Sequence, residues 1–232
     1  MAVFTKIGLD EINLIEKNFS IGKILNYSGI KKGIENTNYL IKSKKRKFIL
    51  TIFEKRVNSR DLPFFMKLMS GLAQSKIKCP KPVENKKGKY LFKLKGKNAC
   101  LVTFLEGKDK NNLNYKECFV IGKNIARLHN SSKKLRIFRK NSLSVNSWGP
   151  LLKKISRKIN KKFKDITENM KIDYIQIKKL WPKKLPTGII HGDLFIDNIF
   201  FYKGRFHGFI DFYFSSNDYY AYDLAILSLI HI

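Results

Sequence analysis

The sequence predicts a two-lobed α+β fold, with an antiparallel sheet in the N-terminal part and helices in the C-terminal part. Three observations carry that expectation. Strand-prone runs dominate the first hundred residues, apolar residues recur at helical spacing beyond Gly107, and one crossing at 104–110 joins the two regions. The expected division is 1–106 and 107–232.

Taken in order, GKILNYSGI and NTNYLIKS are short β-prone runs joined by KKGIE, and RKFILTIFEK is a third run of β-branched and aromatic residues. Asp61 is then placed to cap a helix with Pro63 in its first turn. Phe64, Phe65, Leu68, Met69, Leu72 and Ala73 follow at helical spacing up to residue 75. Pro80 and Pro82 force extended backbone, after which KYLFKLK and NACLVTFLEG supply two more strands, the second ending at Gly107. Beyond it, Cys118, Ile121, Ile125 and Leu128 form one apolar stripe. Residues 151–180 mix lysines with Ile, Leu and Phe at helical spacing, which reads as a helix with a solvated face.

Composition narrows the function. With 232 residues, 44% hydrophobic and 13% aromatic, the chain has the material for a real core. Its net charge of +29 would suggest a polyanionic partner. Yet only 8 of the 47 basic residues are Arg, and the lysines are spread over the whole chain, a pattern of compositional bias that argues against a specific nucleic-acid partner. Cys79, Cys100 and Cys118 show no C-x-x-C spacing, which argues for a reducing compartment and against a disulfide frame or a zinc site. The N-terminus lacks the apolar core of a signal peptide, and no run reaches the ~18 apolar residues of a membrane span. The expectation is a soluble cytoplasmic protein with no membrane partner.

The segment Thr187–Phe214 places three aspartates, two histidines and an asparagine among strand-forming residues. Such acids are costly in apolar surroundings unless a cation offsets them. Ile199–Tyr202 reads as a strand, Lys203-Gly204 as a tight turn and Arg205–Ile210 as the return. This hairpin brings Asn198 and Asp211 to one edge, with Asp193 in the loop before it. Hard oxygen ligands of this kind suit Mg²⁺. His191, Asp193 and Asn198 stand at the spacing H-x-D-x-x-x-x-N of a phosphoryl-transfer catalytic loop, and Asp211 stands where such enzymes place a metal-binding acid. In the first loop, Gly33 permits close approach to a phosphate and Asn36 and Thr37 offer side-chain donors. VTFLEG offers backbone groups to an adenine edge, with Phe104 and Leu105 as apolar walls.

These motifs resemble the aminoglycoside phosphotransferase-like branch of the protein-kinase fold, and within it the homoserine kinases. The resemblance runs through YSGIKKGIENTNYLI, FILTIFEKR, DLPFFMKLMSGLA, CPKPV, ACLVTFLEG, IARLHN, HGDLFIDNIFF, IDFYF and AYDLAI. It implies ATP and Mg²⁺ as cofactors, L-homoserine as the small-molecule partner, Asp193 as the residue that positions or deprotonates the attacking hydroxyl, and Asn198 and Asp211 as metal ligands. It further implies that Asp223 braces the catalytic loop, while His129, on the apolar face of its helix, reads as structural.

Two features depart from the resemblance. Thr51 stands where kinases carry a phosphate-gripping lysine, with Lys55 and Arg56 shortly after, and residues 61–75 lack the glutamate that would pair with such a lysine. The chain also stops within an apolar helical pattern, where the family continues, so the expectation is a truncated gene product with an apolar patch at 224–232. Rival readings are a kinase of the same fold acting on an aminoglycoside, choline or a sugar, and a basic nucleic-acid-binding protein with an inert kinase core. The many lysines count against the acidic acceptor pocket that an aminoglycoside would want.

Overall fold

The computed structural model describes residues 3–33, 35–54, 57–158 and 163–229. Five strands, β1 (Ile24–Gly29), β2 (Thr37–Ser43), β3 (Lys47–Ile52), β4 (Leu91–Leu94) and β5 (Lys97–Thr103), form one antiparallel sheet in the order β1-β2-β3-β5-β4. Central position explains the run Phe48 to Ile52: apart from half-buried Ile49 every side chain in it is buried, so it reads as continuously apolar. One face packs on α1 (Leu9–Asn18), through Ile12, Ile15 and Phe19 against Ile41, Leu50 and Leu101. That helix is additional to the predicted elements. Its signal is Glu11, whose carboxylate accepts from the backbone N–H of Gly8 at 2.7 Å and closes the first turn.

The other side of the sheet meets α2 (Leu62–Gln74), whose Phe65, Leu68, Met69 and Leu72 are buried with Cys100 and Val102. Asp61 precedes this helix as expected but does not cap it. Its side chain makes no bond to the helix N–H groups. Instead its carboxylate accepts from Arg139 Nε at 2.7 Å, an ion pair across 78 residues that outcompetes the local bond.

The remainder comprises α3 (Tyr115–Ser132), α4 (Val145–Ser156), α5 (Lys164–Leu180), β6 (Thr187–Ile190), β7 (Ile199–Tyr202), β8 (Arg205–Phe209), β9 (Ser216–Tyr219) and α6 (Tyr220–Ser228). The stripe Ile121, Ile125 and Leu128 of α3 joins the same core as α2 and the two-stranded β7–β8 hairpin. β9 pairs antiparallel with β6, a strand that SNDY does not announce. The β7–β8 turn is as predicted: Lys203 (φ 49°) and Gly204 (φ 72°) are both left-handed, which matches the twist of two antiparallel strands.

Between the sheet and the helices runs the crossing at 104–110, held to β7 by mutual backbone bonds between Lys108 and Phe201 (3.0 and 2.8 Å). Gly107 makes that contact feasible. Its φ is 124°, and a Cβ there would lie 2.6 Å from the Phe201 carbonyl oxygen. Among the described residues no helix is long and apolar enough to cross a membrane.

Candidate active site

β6 is a short strand, buried at Ile189 and Ile190, that ends in the loop His191-Gly192-Asp193. Three groups hold this loop. Asp223, fully buried on α6, accepts from the backbone N–H of His191 and of Gly192, each at 2.8 Å, and meets His129 Nε2 at 2.7 Å. Asp223 thus holds the loop as the resemblance implied, and His129, read from the sequence as structural, is its partner. The His191 ring is itself buried, and burial pushes its pKa down, so it is neutral. Its Nε2 donates to the Ile210 carbonyl (2.9 Å) while Nδ1 accepts from the Asp193 N–H (3.3 Å), which assigns the tautomer. His191 therefore ties the loop to the end of β8. Gly192 has φ 79° and passes so close to Phe214 that a Cβ would lie 2.7 Å from its carbonyl oxygen.

Asn198 closes a single 3₁₀ turn, Ile196–Asn198, just before β7. Its amide nitrogen donates to the Asp193 carbonyl (2.8 Å) and carboxylate (2.9 Å). Both donor contacts thus fall on Asp193, leaving the amide oxygen to face elsewhere. The Asn198 carbonyl accepts from the Ile210 N–H at 3.0 Å, so the hairpin does set Asn198 beside Asp211.

Asp211 sits in the left-handed region (φ 62°, ψ 64°). It is reachable by solvent through the cleft mouth, yet protein surrounds it on most sides. That enclosure, together with the charges of Asp193, Glu35 and Asp197, pushes its pKa up to about 7. A bound cation would reverse the balance. The donor set fits one: the carboxylate of Asp211 and the amide oxygen of Asn198 are hard ligands, and neighbouring acids add negative potential. Among the described residues no three His, Cys, Asp or Glu side chains close on one point, so such a cation would take its other oxygens from substrate and water.

Two cavities meet here. One, of about 290 Å³, lies under the sheet against Ile49, Val102, Phe104 and Leu105; the other, of about 710 Å³, opens over Gly192, Asp193, Phe214 and Tyr222. Both are lined by Gly33, Asn38, Asp197, Asn198, Asp211 and Tyr213. Of the predicted residues, Phe104 and Leu105 line the smaller cavity, Asp193 and Asn36 the larger, and Gly33, Asn198 and Asp211 both. Thr37 lines neither. It is fully buried, and its hydroxyl accepts from the Phe4 and Thr5 N–H groups and donates to Glu54, so it offers nothing to a phosphate.

Thr51 does line the smaller cavity, donating to Asn38 Oδ1 at 2.8 Å and accepting from the Tyr213 hydroxyl at 3.5 Å. A hydroxyl cluster thus occupies the place expected of a lysine. Lys55 and Arg56 lie outside the described residues. Lys32, the one Lys or Arg among the described residues of that cavity wall, pairs with Asp109 at 2.7 Å across its mouth. Asn38, Tyr213, Glu35 and Asp197 are further wall residues. Only the parity of Asn38 with Asn36 along β2 could have signalled any of them. The composition argument against an acidic pocket is also overturned, because the larger cavity is walled by Glu35, Asp193, Asp197 and Asp211 with no Lys or Arg among its described residues.

The sequence profile of the phosphotransferase enzyme family matches residues 26–231. The chain belongs to that family. It is similar to the homoserine kinase of Nitrobacter hamburgensis, 41% identical over 226 residues that cover 97% of this chain and 69% of that protein. The homoserine kinase of Sinorhizobium medicae is 39% identical over the same shares. Among solved structures, spectinomycin phosphotransferase in complex with ADP and spectinomycin superposes with a TM-score of 0.73 at 16% identity, covering 97% of this chain and 74% of that one. Amicoumacin kinase in complex with AMP-PNP and Ca²⁺ gives 0.75 at 19%, covering 94% and 68%. The fold is accordingly the two-lobed protein-kinase-like one, and the phosphotransferase belongs with the homoserine kinases.

Proposed function

We propose that this kinase transfers the γ-phosphoryl group of ATP to the side-chain hydroxyl of L-homoserine, giving O-phosphohomoserine for threonine synthesis. The reading rests on one observation above all: Asp193, Asn198 and Asp211 converge where two cavities meet, in a chain about four-tenths identical to homoserine kinases. Residues 1–106 and 107–232 would be the nucleotide-binding and catalytic lobes, acting as a soluble cytoplasmic enzyme.

In this reading adenine enters the smaller cavity, between Ile49 and Val102 on one side and Phe200 and Ile210 on the other, against Phe104 and Leu105 of the crossing. Asn198 and Asp211 would hold Mg²⁺, and the ion would supply charge neutralisation at the phosphate oxygens. The acceptor occupies the larger cavity, whose carboxylates suit its ammonium group. Asp193 orients the hydroxyl and takes its proton as the oxygen bonds to the γ-phosphorus and the bond to the ADP oxygen breaks. Asn198 keeps Asp193 aimed, through two hydrogen bonds. Catalysis comes from alignment and charge neutralisation, with little covalent chemistry asked of the protein.

Because an acidic wall also suits aminoglycosides and choline, the acceptor is decided by coupled ADP release against L-homoserine, choline, an aminoglycoside and a sugar. The expected result is turnover with homoserine alone. Asp193→Asn should lower kcat by about 10²-fold or more and leave Mg-ATP affinity within a few fold, since its contact is to the acceptor. Turnover of another panel member in preference to homoserine removes the assignment.

A further inference from the structure

Thr37 lies one residue beyond the loop that carries Gly33, Glu35 and Asn36 to the two cavities, yet it turns its side chain to the opposite side of the sheet. There, itself fully buried, it is the centre of a partly buried polar knot. Its hydroxyl accepts from the backbone N–H of Phe4 (2.9 Å) and Thr5 (3.1 Å) and donates to Glu54 Oε1 (2.7 Å). The same Glu54 oxygen accepts from the Thr5 hydroxyl at 2.7 Å, and the other pairs with the Lys97 ammonium. Burial alone would push the Glu54 carboxyl up, but the Lys97 ammonium and the hydroxyls of Thr5 and Thr37 outweigh it and hold it below the usual range. Tyr39 adds a further tie, its hydroxyl donating to the Thr5 carbonyl (3.0 Å) and accepting from the Ile7 N–H (3.3 Å).

The knot bears on the loop at both of its stems. At the entering stem, Val3 sits so close to Gly29 that a Cβ there would lie 2.8 Å from it. At the leaving stem, Thr37 is held as described, and the Glu54 N–H donates to Asn36 Oδ1 at 3.4 Å. The Ile30 N–H closes the loop onto the Asn38 carbonyl at 2.8 Å.

We propose that Thr37 is a positioning residue for the nucleotide: through its hydroxyl, the segment 3–7 is clasped to Glu54 and Lys97, and the clasp sets how close Gly33, Glu35 and Asn36 lie to the phosphates. This inference rests on the nucleotide reading of the smaller cavity. It explains why a threonine that could not reach a phosphate sits within this loop motif. It also makes the segment 3–7, which lines neither cavity, part of the nucleotide site.

The test separates KM from kcat. Thr37→Val keeps shape and removes both the acceptor and the donor, and should raise KM for Mg-ATP about tenfold with kcat within about threefold of wild type. Thr37→Ser restores the hydroxyl and should return KM to within about twofold. A purely structural role predicts otherwise, because a loss of folded molecules lowers apparent kcat and leaves KM unchanged. Thr37→Val with unchanged KM, or Thr37→Ser that fails to rescue, overturns the proposal. If Thr37→Val does not fold, Thr5→Val is read in the same way, with an expected rise of about threefold. Calorimetric titration of the wild-type chain with Mg-ATP keeps the two levels apart: absence of binding there overturns the nucleotide reading itself, whereas binding with an indifferent Thr37 overturns only the clasp.

Discussion

Asp211 combines a left-handed backbone with a carboxyl whose pKa is pushed up to about 7, first by the protein packed around it in the solvent-open cleft and then by Asp193, Glu35 and Asp197. In an unfolded chain the same carboxyl titrates near its ordinary value of 3.8. The folded state therefore holds its proton longer than the unfolded state does, and this residue's effect is to erode stability as pH rises from about 4 to about 7. Above that window the repulsion is fully present unless a cation neutralises it. Asn is among the residues that tolerate a left-handed backbone best, so Asp211→Asn should fold. It should raise the melting temperature of the nucleotide-free protein most at pH 8, and progressively less as the pH is lowered towards 4. The same variant should lose the extra stabilisation that Mg-ATP gives the wild type, measurable by thermal shift. A variant no more stable at pH 8 would remove the strain from this site.

At the level of elements, the proposed catalytic groups are carried by pieces too short to be stable alone, a four-residue strand and a two-stranded hairpin, so their anchorage decides the geometry. Arg139 is one anchor that the sequence does not advertise. It pairs with Asp61, donates to the Phe214 and Ser215 carbonyls at 3.3 and 3.0 Å, and lies over the Phe65 ring, joining α2 to the turn after Asp211. Gly107 is another. Gly107→Ala would place a methyl group against the Phe201 carbonyl in a backbone region that L-residues avoid, and should cost roughly 1–3 kcal/mol. It should also weaken Mg-ATP binding, because the displaced crossing carries Phe104 and Leu105. Gly204→Ala is the comparison: its φ is 72° but open space surrounds it, so only the backbone penalty of about 1 kcal/mol remains and binding should be unaffected. Equal effects in urea unfolding and titration would show that the close approach of Gly107 is unimportant.

Across the whole molecule, the apolar surface is unevenly covered. Ile166, Met170, Ile172, Ile175 and Leu180 of α5 are exposed, as are Leu151 and Ile155 of α4. On α6, Leu224 and the following Leu229 are exposed, whereas Ile226 and Leu227 pack on the core, so the expected patch at 224–232 is narrower than predicted within the described residues. Residues 230–232 lie outside them. Exposed apolar surface of this kind on helices that also carry lysines drives association once salt screens the repulsion of a +29 chain. Light scattering should therefore show association that grows with ionic strength. The double variant Ile175→Glu and Leu180→Glu should suppress it, although the substitutions lower the net charge. Association unchanged in that variant would place the contact elsewhere.

Local chemistry was legible wherever one segment contains its own partners. The hairpin is written in Lys203-Gly204 between two apolar runs, and with it the approach of Asn198 to the Asp211 end, whereas the bulge between Phe200 and Phe201 that shifts the register by one residue is not. The five sheet strands and the stripes of α2 and α3 were legible for the same reason, as periodicity reports a buried face directly. What only the tertiary structure decided are contacts between segments far apart in the chain, about which periodicity says nothing. Asp61 turned from a cap into the partner of Arg139, and Thr37 from a phosphate donor into the centre of a clasp with Thr5 and Glu54. The acidic wall of the larger cavity was hidden by the overall charge. Composition averages over the whole surface, whereas the charge of this cavity is set by the four carboxylates that folding brings to one place.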